Sequence, residues 1–180
     1  MTIDQAQADL RRAYLDAGPG TVISGLVWAV AAVVQARSGI GPGFVALFFG
    51  GMLIFPLSLA ACRILFKRAA EAPGNPFGRL VLESTIAMIA AFLPAWLFLQ
   101  HAPALVLPLA GLAVGAHYFA FRTAYGLSIF WILGGLIMAI SLAAIYRLLP
   151  FPDAFAAAIA TVEILFGLFL TIGVLRQSRT

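Results

Sequence analysis

Apolar residues fill this chain in long blocks, and polar residues are confined to the gaps between them. The first block covers 19–36 and gives way at Arg37 and Ser38. The second, 41–66, holds Gly50, Gly51 and Pro56 near its centre. A polar stretch from Lys67 to Arg79 follows, with the turn-forming segment Ala72–Gly78 inside it. The third block, 80–100, carries Glu83 and Pro94, and His101-Ala102-Pro103 joins it to a fourth at 103–121. After Arg122 comes a fifth, 125–146, and after Leu149–Asp153 a sixth, 154–175.

About 20 apolar residues carry a helix across the hydrocarbon core of a bilayer, where every backbone polar group must be paired internally. The blocks are long enough for this, and they lack the alternation of barrel strands. The pattern predicts an all-α fold, a polytopic transmembrane helix bundle of about six spanning helices. Between blocks three and four the connection is so short that a re-entrant hairpin is the alternative.

Residues 1–18 follow another rule. Thr2 and Gln5 have capping-box spacing, and Ile3, Ala6, Leu10 and Tyr14 recur at helical intervals. A short amphipathic helix lying at the membrane interface fits. A cleaved signal peptide competes, but Asp4, Asp9 and Asp16 spoil its basic leader. Three regions result: residues 1–18 as a cytoplasmic amphipathic helix, 19–175 as the transmembrane domain, and 176–180 as a cytoplasmic tail.

Composition sharpens the class. The 180 residues are 63% hydrophobic and 10% charged, with a mean hydropathy of +1.03. A soluble domain keeps about 25% charged residues. The net charge of +4 is spread too thinly for nucleic acid, and its lysines and arginines cluster at block ends. With six spans and an internal N-terminus, nine basic residues face the cytoplasm, while Arg37 and Arg147 face out. The expected location is therefore a cell membrane, the bacterial inner membrane, with both termini cytoplasmic and the lipid bilayer as first partner. A homo-oligomer or another membrane protein is the further partner to expect. One cysteine, Cys62, excludes an internal disulfide and a cysteine metal site.

Three segments, Leu53–Leu57, Gly74–Gly78 and Val114–Phe119, read Leu-Ile-Phe-Pro-Leu, Gly-Asn-Pro-Phe-Gly and Val-Gly-Ala-His-Tyr-Phe. Here the chain resembles an uncharacterised bacterial family of small multi-pass membrane proteins, known only as a domain of unknown function. The resemblance implies a cell-membrane location and supplies no reaction, ligand or catalytic residue.

Candidate chemistry rests on intramembrane polar groups, which are costly enough to suggest function. Glu163 lies ten residues past Asp153, about 15 Å deep at 1.5 Å per residue. Ala156, Ala160 and Gly167 share its face, a small-residue stripe suited to helix contact. It reads either as a proton- or cation-binding carboxyl, or as a neutral one bonded to Thr161, a serine or a neighbouring carbonyl.

Glu83 stands above Ala87, Ala90 and Pro94 on a face expected to meet another helix, with Arg79 as its ion partner. His117 is either pH-responsive or a neutral imidazole, and Gly111 and Gly115 mark a close-approach face that it does not share. Gly50, Gly51, Pro56 and Pro94 are candidate helix-bending positions. Trp96, Tyr125 and Tyr146 read as interfacial anchors. Neither a catalytic set nor a cofactor or metal motif is legible. A transporter or channel-like protein, a non-catalytic membrane subunit or assembly factor, and a lipid-active enzyme using Glu83 and His117 remain as alternatives.

Overall fold

The computed structural model describes residues 1–148 and 154–177. The predicted connection Leu149–Asp153 and the last three residues of the predicted tail lie outside that range. Seven helices follow in order: α1 (Ile3–Tyr14), α2 (Gly18–Ser38), α3 (Ile40–Ala60), α4 (Pro76–His101), α5 (Val106–Tyr125), α6 (Ile129–Ile145) and α7 (Phe155–Gln177). No strand occurs among the described residues.

Five helices are long and apolar enough to cross a membrane. These are α2, α3 with the π-helical turn Ala61–Leu65 that continues it, α4, α5 with a leading 3-10 turn, and α7. The shorter sixth, α6, has 17 residues, because Gly126 at φ +69° ends α5 inside the fifth apolar block. The connection between α4 and α5 is the 3-10 turn Pro103–Leu105, so blocks three and four form an antiparallel helix pair.

The apolar helices pack as two three-helix layers. In one, α2 lies between α3 and α7; in the other, α5 lies between α4 and α6. The layers meet where α5 touches α3 and α7, and where α6 touches α7.

Small residues set how closely the helices approach. A Cβ on Gly25 would stand 2.9 Å from the Ala160 carbonyl oxygen, and one on Gly167 would stand 2.5 Å from the Val22 nitrogen. Thus α2 and α7 run antiparallel with their backbones in contact. Gly115 meets the Gly134 carbonyl in the same way and joins α5 to α6. Backbone approach of this kind lets apolar helices gain van der Waals contact that larger side chains would hold apart.

The amphipathic α1 is present with its capping box, formed by Thr2 and Gln5. Its apolar face, however, is covered by protein: Ala6, Leu10 and Ala13 are buried, while Ile3 is exposed. The helix lies against the end of the bundle formed by α4, α5 and the start of α2.

Hydrogen bonds hold it there. Gln7 donates to the Thr123 carbonyl (2.8 Å) and Arg11 to the Tyr125 carbonyl (2.5 Å). Asp9 accepts from the Ala72 N–H (2.7 Å) and from Asn75 (3.0 Å), and Asn75 caps α4 through the Phe77 N–H. These bonds pull the Asp9 carboxyl below its ordinary range even though burial pushes it up.

The link to α2 is strained: Leu15, Asp16 and Ala17 all have positive φ, at 48°, 54° and 61°. Left-handed backbone costs a non-glycine residue about 1–2 kcal/mol. Burial of Leu15 and Ala17 against the bundle offsets it.

Candidate functional site

The deepest polar group is Glu163, which is fully buried, eight residues or about 12 Å along α7 from Phe155. Its face behaves as the sequence suggests: Ala156, Ala160 and Gly167 are all buried against other helices. Its partner is not Thr161, which is exposed and donates to the Ala157 carbonyl of its own helix. Instead Tyr118 on α5 donates its hydroxyl to Glu163 Oε1 at 2.9 Å.

Ser24 on α2 stands beside the carboxyl, yet Oε2 has no hydrogen bond in place. Thr21, one turn before Ser24, spends its hydroxyl on the Ala17 carbonyl (3.1 Å). One carboxyl therefore joins α7 directly to α5, the central helix of the other layer, and touches α2, the central helix of its own.

Rings fill the space between this centre and α1. Tyr118 stacks on Phe130 at 6.2 Å, Phe121 stacks on Tyr125 at 5.5 Å, and Phe121 also touches Phe130 at 5.5 Å. Tyr125 is consequently a core residue, 4% exposed, and not an interfacial anchor. Trp96 is partly covered by Phe44 and Phe48 of α3, whereas Tyr146 is exposed. Tyr118 was missed by sequence reasoning although a signal existed. It lies three residues after Gly115, on the close-approach face to which His117 does not belong.

The other two polar candidates separate. His117 is half-buried in the seam between α4 and α5, where its Nδ1 pairs with Ser84 Oγ at 2.9 Å and its ring meets Phe121 edge-on at 4.7 Å. Ser84 also donates to the Val81 carbonyl (2.9 Å). A serine and a histidine in contact invite comparison with a nucleophilic pair, but no carboxylate is bonded to His117 among the described residues, so nothing orients the imidazole as a general base.

Glu83 points away from this seam and is exposed, as are Ala87, Ala90 and Pro94 on its face. The expectation that another helix of the chain covers this face is overturned. So is the ion pair with Arg79: among the described residues Arg12–Asp9 is the one ion pair within 4.0 Å. No group of three or more metal-ligating side chains occurs among the described residues.

The helix-bending candidates divide in the same way. Both α3 and α4 run unbroken through Gly50, Gly51, Pro56 and Pro94, and the irregularity of α3 is the π-helical turn beyond Pro56. Gly50 serves packing, since a Cβ there would lie 2.8 Å from Val27, while one on Gly51 would meet open space.

Neither curated proteins nor solved structures give a match to the chain. A family model does, over residues 3–173, and its description is a family of unknown function, DUF7010. The bundle with a Glu163–Tyr118 centre is thus the fold of one of its members: this chain belongs to the DUF7010 family of unknown function.

Proposed function

We propose that the chain is a multi-pass integral protein of the cell membrane, with both termini on the cytoplasmic side, acting as a non-catalytic membrane component. The carrying observation is the closure of its only deeply buried carboxyl among the described residues. Glu163 is fully buried, bonded to Tyr118 and screened from the α1 end by a layer of rings. In that setting it works as a neutral cross-link fixing how α2, α5 and α7 meet. Five long apolar helices and the clustering of basic residues at the α1 end support the membrane placement and its sidedness.

A second reading, a small transporter or channel with Glu163 as its coupling carboxyl, draws on the unpartnered Oε2 beside Ser24. Proteoliposomes loaded with a pH-sensitive dye separate the two. On the structural role, an imposed proton gradient decays at the same rate with wild-type protein, with Glu163→Gln protein and with empty vesicles, while Glu163→Leu lowers thermal stability. A wild-type proton leak abolished by Glu163→Gln would overturn the structural role and establish the second.

A further inference from the structure

Helix α4 turns an uneven face outward, with a ridge on one side, a groove on the other and opposite charges at one end. At about 100° per residue, Glu83, Ala90 and Pro94 fall within about 20° of a single line along the helix. All three are exposed. Roughly 40–80° to one side of that line stand Ile86, Leu93 and Leu97. These side chains form the ridge, and Leu97 is 74% exposed. At similar angles on the other side come Ala87, Ala91 and Phe98. There an apolar groove of about 460 Å³ opens between α4 and α5, lined among others by Ala91, Pro94, Phe98, Ala113 and Ala116.

Ridge and groove stand at the same depth. Leu93 and Leu97 bracket Pro94 on one side, and Ala91 and Phe98 bracket it on the other. Copies inserted by the same charge rule share one orientation in the membrane, so a two-fold axis relating two of them runs along the bilayer normal. Such an axis joins equal depths. Set on the line through Glu83, Ala90 and Pro94, it turns the ridge of each copy towards the groove of the other. The small side chain of Ala90 lets the two backbones come close.

We infer that the chain forms a two-fold dimer through α4, with Leu93 and Leu97 of each copy seated in the α4–α5 groove of the other. The charges complete the match at the α1 end. Glu83 and Arg79 are exposed, and neither has an ion pair or hydrogen bond within the chain. Arg79 lies about 40° from the line on the ridge side, which is the side that crosses to the second copy. Each Arg79 therefore approaches the Glu83 of the other copy, and the dimer sets two carboxylates beside two guanidiniums. Lipid tails conform to any apolar contour. A ridge and a groove matched in depth on one helix, with opposite charges beside them, are what a self-complementary contact requires.

The interface rests on the membrane placement proposed above, and the assay separates the two. The full chain, carrying one fluorophore at its N-terminus, is reconstituted into vesicles of phosphatidylcholine and phosphatidylglycerol and floated to verify insertion. Copies per spot are then counted by photobleaching over a series of protein-to-lipid ratios. Spots that bleach in two steps should persist on dilution. Glu83→Arg should raise the dimer dissociation constant by about tenfold or more, because it brings like charges together. Adding Arg79→Glu to it should restore the wild-type value. Ala116→Trp, at an exposed position of the groove, should abolish the two-step spots. Under a mild oxidant Ala90→Cys should link two copies, while Val30→Cys, exposed on α2, and the wild type, whose Cys62 is buried, should not. Floated protein that bleaches in single steps at every ratio would mean that lipid alone covers the face. Two-step spots unmoved by Glu83→Arg and Ala116→Trp would place the contact elsewhere. Either result overturns the interface and leaves the membrane placement standing, whereas a chain that does not float overturns both.

Discussion

Exchanging Tyr118 for Phe removes one oxygen atom and, with it, the hydroxyl that donates to Glu163 Oε1 at 2.9 Å. Since Oε2 has no partner either, the fully buried carboxyl is left with no hydrogen bond in place. Stranding a buried polar group in this way costs about 1–3 kcal/mol. Glu163→Met takes the carboxylate acceptor from the tyrosine hydroxyl and leaves it the Thr21 and Ser24 side chains, so its cost should lie at the low end of about 1–3 kcal/mol. The double variant removes both polar ends, so its loss should fall short of the sum of the two. Side-chain bonds between membrane helices couple by about 0.6 kcal/mol on average and about 1.7 at most, and the buried position of this pair argues for the upper half. Reversible unfolding in mixed micelles, followed by far-ultraviolet circular dichroism, measures all four proteins of the cycle. A coupling below about 0.3 kcal/mol, where unconnected sites add, would refute the idea that this bond joins α5 to α7.

Three further outcomes follow from the packing and charges. Gly167→Ala must push α2 away from α7, because its Cβ would sit 2.5 Å from the Val22 nitrogen and 2.7 Å from the Gly18 carbonyl oxygen. A loss of about 1–3 kcal/mol in the same unfolding assay is expected. Gly173→Ala, whose Cβ meets nothing within 4 Å, is the matched control and should change little.

Asp9 has a lowered folded-state pKa, so the stability it supplies to the docking of α1 is present at neutral pH. That stability is lost as pH falls below about 4 and through the lowered value. Amide exchange of α1 should therefore rise in acid, and Asp9→Asn should show fast exchange already at neutral pH. Glu71 behaves oppositely. Burial first, then the Asp9 charge, raise its pKa, only partly offset by Arg63, and its Oε2 is buried without a hydrogen bond. Glu71→Gln should raise the melting temperature at pH 7, with the difference closing as acid protonates the native carboxyl.

The apolar blocks determined the helices by themselves, because a run of twenty greasy residues has one way to satisfy its backbone away from water. Local chemistry was equally legible where neighbours in sequence are neighbours in space. The capping box of α1 and the small-residue face around Glu163 appear as the spacing predicts, whereas α4 starts at Pro76, inside the segment Ala72–Gly78 expected to form a turn.

Contacts between distant segments were another matter. The pattern shows that Glu163 faces a helix, but only packing made that neighbour Tyr118, 45 residues away, and not Thr161, two residues away. Packing likewise left Glu83 outside and turned the apolar face of α1 onto protein. Helical periodicity fixes which side chains share a face, yet it carries no record of which face another helix will occupy. That choice is settled by where backbones can come closest. Here Gly18, Gly25 and Gly167 bring α2 against α7, and Gly115 and Gly134 bring α5 against α6.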